Sequence, residues 1–235
     1  MKDLFLKQGY FKVQKLINPY EVKQLQELYN NLLEDETKTE GLRSDLAGGD
    51  SNTERITQIM RPSMNEPKLL QTNTYELVTT IVKDLLGPDM ELDFDMLINK
   101  APHTDTPTPW HQDAAYWIKM PDKRSVSCWI ALDNVYEANG CMWFIPKGND
   151  QVLPHKPSAK GGALCCETNV DNAECIPLDE GGCTFHDGFT FHYSKGNSTN
   201  TQRRALILNF RPKDMISLER EQGVDHTGER KVRNK

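Results

Sequence analysis

The run Glu91-Leu92-Asp93-Phe94-Asp95-Met96-Leu97-Ile98-Asn99-Lys100 marks a change in the texture of the chain. Trp110-His111-Gln112-Asp113 and then Val126-Ser127-Cys128-Trp129-Ile130-Ala131-Leu132 follow it. Before it, apolar residues recur at helical spacing. From it onward they come in short runs parted by Pro and Gly clusters, as strands do. Strands are expected at Leu92–Lys100, Trp110–Trp117, Val126–Leu132, Cys141–Pro146, Gly182–His186 and Arg203–Phe210, with one or two more between 155 and 180. Upstream, short strands are expected at Tyr10–Leu16 and Ile56–Met60. Asn18-Pro19 followed by Glu21 reads as a helix start, with an N-cap, a proline at the first helical position and an acid near the third. Val22, Leu25, Leu28, Leu32 and Leu33 carry that helix to about Glu36. Asn65-Glu66-Pro67 reads as the opening of a second helix, which Gly87-Pro88 stops. Two leading helices before a series of short strands fit an α+β fold with a jelly-roll (double-stranded β-helix) core.

No repeat, low-complexity tract or linker divides the chain, so residues 1–235 are expected to form one domain with its core at about 5–212. The polar, glycine-containing stretch 37–52 reads as a mobile loop and a candidate lid. The charged end, 219–235, reads as disordered or as a surface flap.

Composition narrows the function classes. Apolar residues make up 37% of the 235 and no run of them is long enough for a membrane helix. The formal charge of −6 argues against a general nucleic-acid binder. The six cysteines form no C-x-x-C pair, which disfavours a structural zinc site. With no secretion signal at the start, a reduced cytoplasmic setting is expected. Oligomeric state is not legible.

Three residues carry the chemistry. His111 and Asp113 are two apart, so on a strand both side chains face one side. His192 stands far downstream in Phe191-His192-Tyr193-Ser194-Lys195-Gly196-Asn197. It is expected from a distant strand across the two facing sheets. Two imidazoles and a carboxylate hold one face of a non-haem Fe(II) and leave the other face open. Arg203 follows at a spacing that returns it toward the metal, where its guanidinium can fork onto the distal carboxylate of 2-oxoglutarate. O2 would take the remaining position. Each residue also has a plain reading: His111 as a loop histidine, His192 as a hydrogen-bonded core histidine, Arg203 as a strand-edge charge like Arg204 beside it. His186 is a rival ligand, and His103 and His155 sit in proline-containing loops that can border a barrel mouth.

These runs together resemble the phytanoyl-CoA dioxygenase family of Fe(II)/2-oxoglutarate oxygenases, over roughly residues 5 to 212. Met96–Lys100 is similar to the strand before its metal strand, and Trp110–Asp113 to its metal motif. Val126–Leu132 with Asn139-Gly140-Cys141-Met142 is similar to its next hairpin. His192-Tyr193-Ser194 with Asn197, Ser198 and Arg203 is similar to its distal segment. The resemblance implies that His111, Asp113 and His192 ligate Fe(II) and that Arg203 binds the 5-carboxylate of 2-oxoglutarate. It also implies that Met96, Trp129 and a polar residue near Gln58 line the cosubstrate pocket. The family's Pro-Gly-Ser-His turn is replaced by Pro146-Lys147-Gly148-Asn149-Asp150, which leaves the substrate open.

The expected activity is hydroxylation of an unactivated C–H bond in a small molecule, with succinate and CO2 as co-products. Desaturation and ring closure would use the same residues. The carboxylate of Asp113 disfavours halogenation, which needs that ligand position free. Two readings from other classes stand beside this one: a jelly-roll binding protein with a vestigial metal site, and a zinc hydrolase using the same triad. The hydrolase has no use for Arg203.

Overall fold

The computed structural model describes residues 1–49, 53–227 and 231–233. In chain order the elements begin with α1 (Lys2–Gln8), β1 (Tyr10–Val13), α2 (Pro19–Glu34), β2 (Arg43–Asp45), β3 (Ile56–Met60) and α3 (Asn73–Leu86). Next come β4 (Met90–Lys100), β5 (Thr108–His111), β6 (Val126–Ala131), β7 (Met142–Phe144), β8 (Lys156–Pro157) and β9 (Leu164–Cys165). The chain continues with β10 (Glu174–Ile176), β11 (Cys183–His186), β12 (His192–Ser194), β13 (Arg203–Pro212) and α4 (Lys213–Glu221).

A large sheet has the order β1-β11-β6-β13-β4-β3-β2, and a smaller one the order β10-β7-β12-β5. They form the two walls of the expected jelly roll. Strand parity divides the large sheet into two chemistries. Leu97, Leu206, Leu208, Cys128, Ile130 and Phe185 face outward and are buried under Val22, Leu25, Leu32, Val78 and Val82 of α2 and α3. The alternate residues Met96, Ile207, Trp129, Ala205 and Ala131 face inward. Met96, Ile207 and Trp129 stand in one row across β4, β13 and β6. Both faces being covered explains why these strands read as near-continuous apolar runs.

Local signals set the helices. Asn18 Oδ1 accepts from the backbone N–H of Tyr20 and of Glu21 at 3.0 Å, and Asn18 Nδ2 donates to Glu21 at 3.1 Å. Gly87 caps α3 with its N–H on Lys83 O at 2.9 Å. The second helix starts later than the Asn65-Glu66-Pro67 signal implies. Pro67–Gln71 is a 3-10 turn, and α3 begins only where Thr72 accepts from Tyr75 N. Lys2–Gln8, with no strong apolar period, was not anticipated.

Three other expectations are corrected. Residues 110–117 are not one strand: β5 ends at His111, and Asp113–Tyr116 form a 3-10 turn. Val126–Ala131 and Met142–Phe144 do not form a hairpin, because β6 belongs to the large sheet and β7 to the small one. In the stretch 219–235, Glu219 and His226 do not hang free. Arg211, Asp93, Glu219 and His226 form a buried ion cluster, with Glu219 to His226 at 2.6 Å and Arg211 to Glu219 at 2.7 Å. His226 also stacks on Phe94 at 4.4 Å. Within 37–52, Arg43–Asp45 add an edge strand to β3, while residues 50–52 lie outside the described part. Among the described residues no helix is long and apolar enough to cross a membrane.

Candidate active site

His111 and His192 are cross-strand partners, since β5 and β12 are neighbours in the small sheet. They do not meet across the sandwich, as their distance in sequence implied. Their ring centroids lie 4.1 Å apart. Asp113 enters from the turn that follows β5. Its Oδ1 is 3.7 Å from His111 Nε2 and 3.5 Å from His192 Nε2. These three ligand atoms lie within 4.8 Å of one another, close enough to share one ion.

The backbone sets which imidazole nitrogens face that point. His111 Nδ1 donates to Pro109 O at 2.7 Å, and His192 Nδ1 to Thr190 O at 3.0 Å. Both Nε2 lone pairs are left facing the same point as the Asp113 carboxylate, free to bind a metal. Burial pushes both histidines below the ordinary imidazole range. Burial pushes the Asp113 carboxyl up, but the imidazoles around it, His192 foremost, outweigh this and hold it well below the carboxylate range. Neutral imidazoles with an ionised carboxylate are the ligand forms a divalent metal takes.

The other carboxylate oxygen, Oδ2, is held by residues the motif did not name. Ser127 Oγ donates to it at 3.0 Å, and Asn209 Nδ2 donates to Ser127 Oγ at 2.7 Å. His186 Nε2 stands 3.5 Å from the same oxygen. His186, Ser127 and Asn209 occupy one row of β11, β6 and β13. The inward parity of Ser127 with Trp129 is the signal that would have found them. His186 thus meets Asp113 at the oxygen other than the one facing His111 and His192, and it stands outside the set of three whose ligand atoms all lie within 4.8 Å of one another.

Arg203 comes from the facing sheet. It is 1% exposed, with its guanidinium 5.3 Å from the centre of the Trp129 ring. Its Nη2 donates to Ser194 Oγ at 3.4 Å, while Nε and Nη1 have no partner among the described residues. A buried guanidinium with two idle donors is costly unless an anion completes it. Burial lowers Arg203 to about 10, which leaves it charged at neutral pH. Lys100, also inward, is engaged by the carbonyls of Thr106, Ser194 and Lys195, so it ties the two sheets together.

One cavity of about 340 Å³ joins the triad to Arg203; Gln58, Met96, Trp129, His111, Asp113, His192 and Arg203 line it. Gln58 lines the cavity, with its Nε2 2.7 Å from Met96 Sδ. Leu42, Ser44 and Leu46 line it from the 37–52 segment, and His226, Thr227 and Arg233 from the C-terminal residues. The remaining candidates go elsewhere. Arg204 pairs with Asp133 at 2.6 Å, as a strand-edge charge should. His103 is exposed, and His155 accepts from Gln112 N at 3.0 Å behind the metal strand.

The sequence matches the family described as Phytanoyl-CoA dioxygenase (PhyH) over residues 5–205. The chain belongs to the phytanoyl-CoA dioxygenase family. A probable phytanoyl-CoA dioxygenase of Caenorhabditis elegans is 24% identical over 234 residues, covering 91% of this chain and 75% of the relative. Among solved structures, EvdO2 from Micromonospora carbonacea var. aurantiaca superposes with a TM-score of 0.77 at 28% identity, covering 89% of this chain and 88% of that one. Its complex with 2-oxoglutarate gives a TM-score of 0.73 at 26% identity over the same shares. The carbocyclase SnoK from nogalamycin biosynthesis shares the fold, with a TM-score of 0.72 at 18% identity over 88% of this chain and 81% of that one. This member of the family is therefore a non-haem iron, 2-oxoglutarate-dependent oxygenase with a jelly-roll core, and its cofactors are Fe(II) and 2-oxoglutarate.

Proposed function

We propose that this oxygenase hydroxylates an unactivated C–H bond of a small molecule, with His111, Asp113 and His192 holding Fe(II) and Arg203 holding 2-oxoglutarate. One observation carries the assignment: a compact His-Asp-His cluster shares a cavity with a buried arginine whose Nε and Nη1 lack partners among the described residues. Fe(II) with 2-oxoglutarate and O2 supplies an oxidant strong enough for such a bond, releasing succinate and CO2.

The chain's own part is binding, orientation and exclusion of water. His111 and His192 offer Nε2 because the Pro109 and Thr190 carbonyls take the Nδ1 protons. Asp113 offers Oδ1 because Ser127 holds Oδ2. Arg203 and Ser194 bind the 5-carboxylate of the cosubstrate, with Met96 and Trp129 flanking its carbon chain and Gln58 at the wall. Phe94, Met60, Leu42 and Trp117 give the outer pocket an apolar lining for the substrate body. A compact substrate fits this better than a CoA thioester, which needs a basic groove for its phosphates. Arg124, in the Lys119–Arg124 segment, is tied to Asp89 and Asp122 at 2.6 Å each. Segment 37–52 is read as the lid that closes after the substrate enters.

Succinate formation that depends on both Fe(II) and 2-oxoglutarate tests the reading against a vestigial binding module. Arg203→Ala is expected to weaken 2-oxoglutarate binding roughly 10- to 100-fold, the value of a charge-assisted contact, with iron affinity retained. Unchanged 2-oxoglutarate affinity in that variant would count against Arg203 as the residue that binds the cosubstrate. A carbocyclase on the same fold makes product analysis by mass spectrometry the arbiter between hydroxylation and ring closure.

A further inference from the structure

Beyond the metal centre, the seam between β7 and β10 brings two reactive groups together. Cys141 immediately precedes β7, Cys175 lies within β10, and their Sγ atoms are 2.9 Å apart. The strands are antiparallel, with Cys175 opposite Trp143 and Ile176 opposite Met142. Cys141 and Cys175 are therefore diagonal neighbours on one face. A disulfide of about 2.05 Å requires the sulfurs to close by roughly a further 0.9 Å.

We propose that Cys141 and Cys175 are a peroxide-responsive thiol pair that closes to a disulfide in the folded enzyme. This goes beyond the oxygenase reading and does not rest on it. Close approach of the two sulfurs, together with access to one of them, separates this pair from the other cysteines. Cys128 and Cys183 also influence each other, but both are 0% exposed within the helix-covered core. Cys165 and Cys166 are adjacent in sequence, yet the Cys166 thiol faces the Trp110 carbonyl at 3.6 Å. Cys141 is fully buried, whereas Cys175 is partly exposed.

That asymmetry orders the steps. The Cys175 thiolate attacks one oxygen of hydrogen peroxide; the O–O bond breaks, a Cys175 sulfenic acid forms and hydroxide leaves. The Cys141 sulfur then attacks the sulfenyl sulfur, and the hydroxyl departs with the Cys141 proton as water. Two thiols lose two electrons, and one peroxide becomes two waters. Burial and the facing thiol push Cys141 up, so it stays protonated and acts second. The bond would fasten β10 to β7, whose other neighbour β12 carries His192 and Ser194. It would lie beside Arg203, whose charge acts on Cys141.

The test uses the full chain, folded, with chelator present so that peroxide does not react at iron. One equivalent of hydrogen peroxide should remove two hydrogens from the intact mass. Non-reducing digestion should yield a single cross-linked pair containing Cys141 and Cys175, reversed by a thiol reductant. Cys141→Ser should leave a sulfenic acid on Cys175 that dimedone traps, and Cys175→Ser should give no cross-link. The proposal is overturned if both cysteines remain thiols in the folded protein. It is equally overturned if the link joins other cysteines, or forms only after denaturation. Since the readout is mass, failure of the oxygenase reading would leave this result untouched.

Discussion

At the residue scale, the two oxygens of Asp113 have different tasks. Oδ1 faces the paired imidazoles, and Oδ2 is fixed by Ser127, itself held by Asn209. A ligand whose idle oxygen is pinned cannot swing out of the coordination sphere. Ser127→Ala should therefore lower metal affinity by about 10- to 100-fold while leaving the fold intact. Metal titration with circular dichroism as the fold control checks this; wild-type affinity in the variant would remove Ser127 from the site. The three ligand candidates were legible because His-x-Asp and a distant His are chemically unusual together. Ser127 and Asn209 were not, because nothing marks an inward serine or asparagine until strand pairing sets them in one row.

At the element scale, the departures from expectation share a cause. A strand was anticipated over Trp110–Trp117, and it stops at His111, where the chain turns and swings the Asp113 carboxylate toward both rings. A hairpin was anticipated after Leu132, and the chain instead crosses to the other sheet through the Glu137–Asn139 turn and Gly140. Gly140 has φ 88°, and a Cβ there would lie 2.5 Å from Lys195 O. The Asn-Gly signal was correctly read as a turn, but a turn signal does not say which sheet the next strand joins. Gly140→Ala is expected to destabilise by about 1–3 kcal/mol through left-handed strain and the clash with backbone. Thermal melting tests this, and a change below about 0.5 kcal/mol, the usual size for an inert surface substitution, would show that the crossing tolerates a side chain.

At the scale of the whole molecule, the buried cluster of Asp93, Arg211, Glu219 and His226 fastens the C-terminal residues against the pocket. Burial lowers His226 from 6.5 to about 4, although the Glu219 hydrogen bond opposes it. Burial pushes Glu219 up, but the His226 hydrogen bond and the Arg211 charge outweigh it and hold the carboxyl near 2, against an ordinary 4.5. For both groups the unfolded chain binds protons that the folded chain refuses. The stability they contribute is complete above about pH 6.5. It falls between about 6.5 and 4 through His226, and between about 4.5 and 2 through Glu219. Melting temperature measured against pH should follow that descent, and His226→Gln should flatten its upper part. An unaltered upper limb in the variant would mean that the histidine is not the group that titrates. The charged, apolar-poor composition of this tail pointed to disorder, because burial of its charges depends on partners such as Asp93 more than a hundred residues away.

The sequence by itself determined the chemistry and the class of fold. Ligand types, helix caps and apolar periods are local properties; they picked out His111, Asp113, His192 and Arg203 as candidates, which the fold brings to one cavity, and they placed the helix starting at Pro19 and the strand-rich second half. Which strands are neighbours depended on the folded arrangement: that His111 and His192 face each other within one sheet, that Ser127 steadies Asp113, that Cys141 meets Cys175, and that His226, Thr227 and Arg233 wall the pocket. Those facts depend on pairing register and on contacts between residues distant along the chain. They arise only when burial of both faces of the large sheet selects one arrangement of the strands.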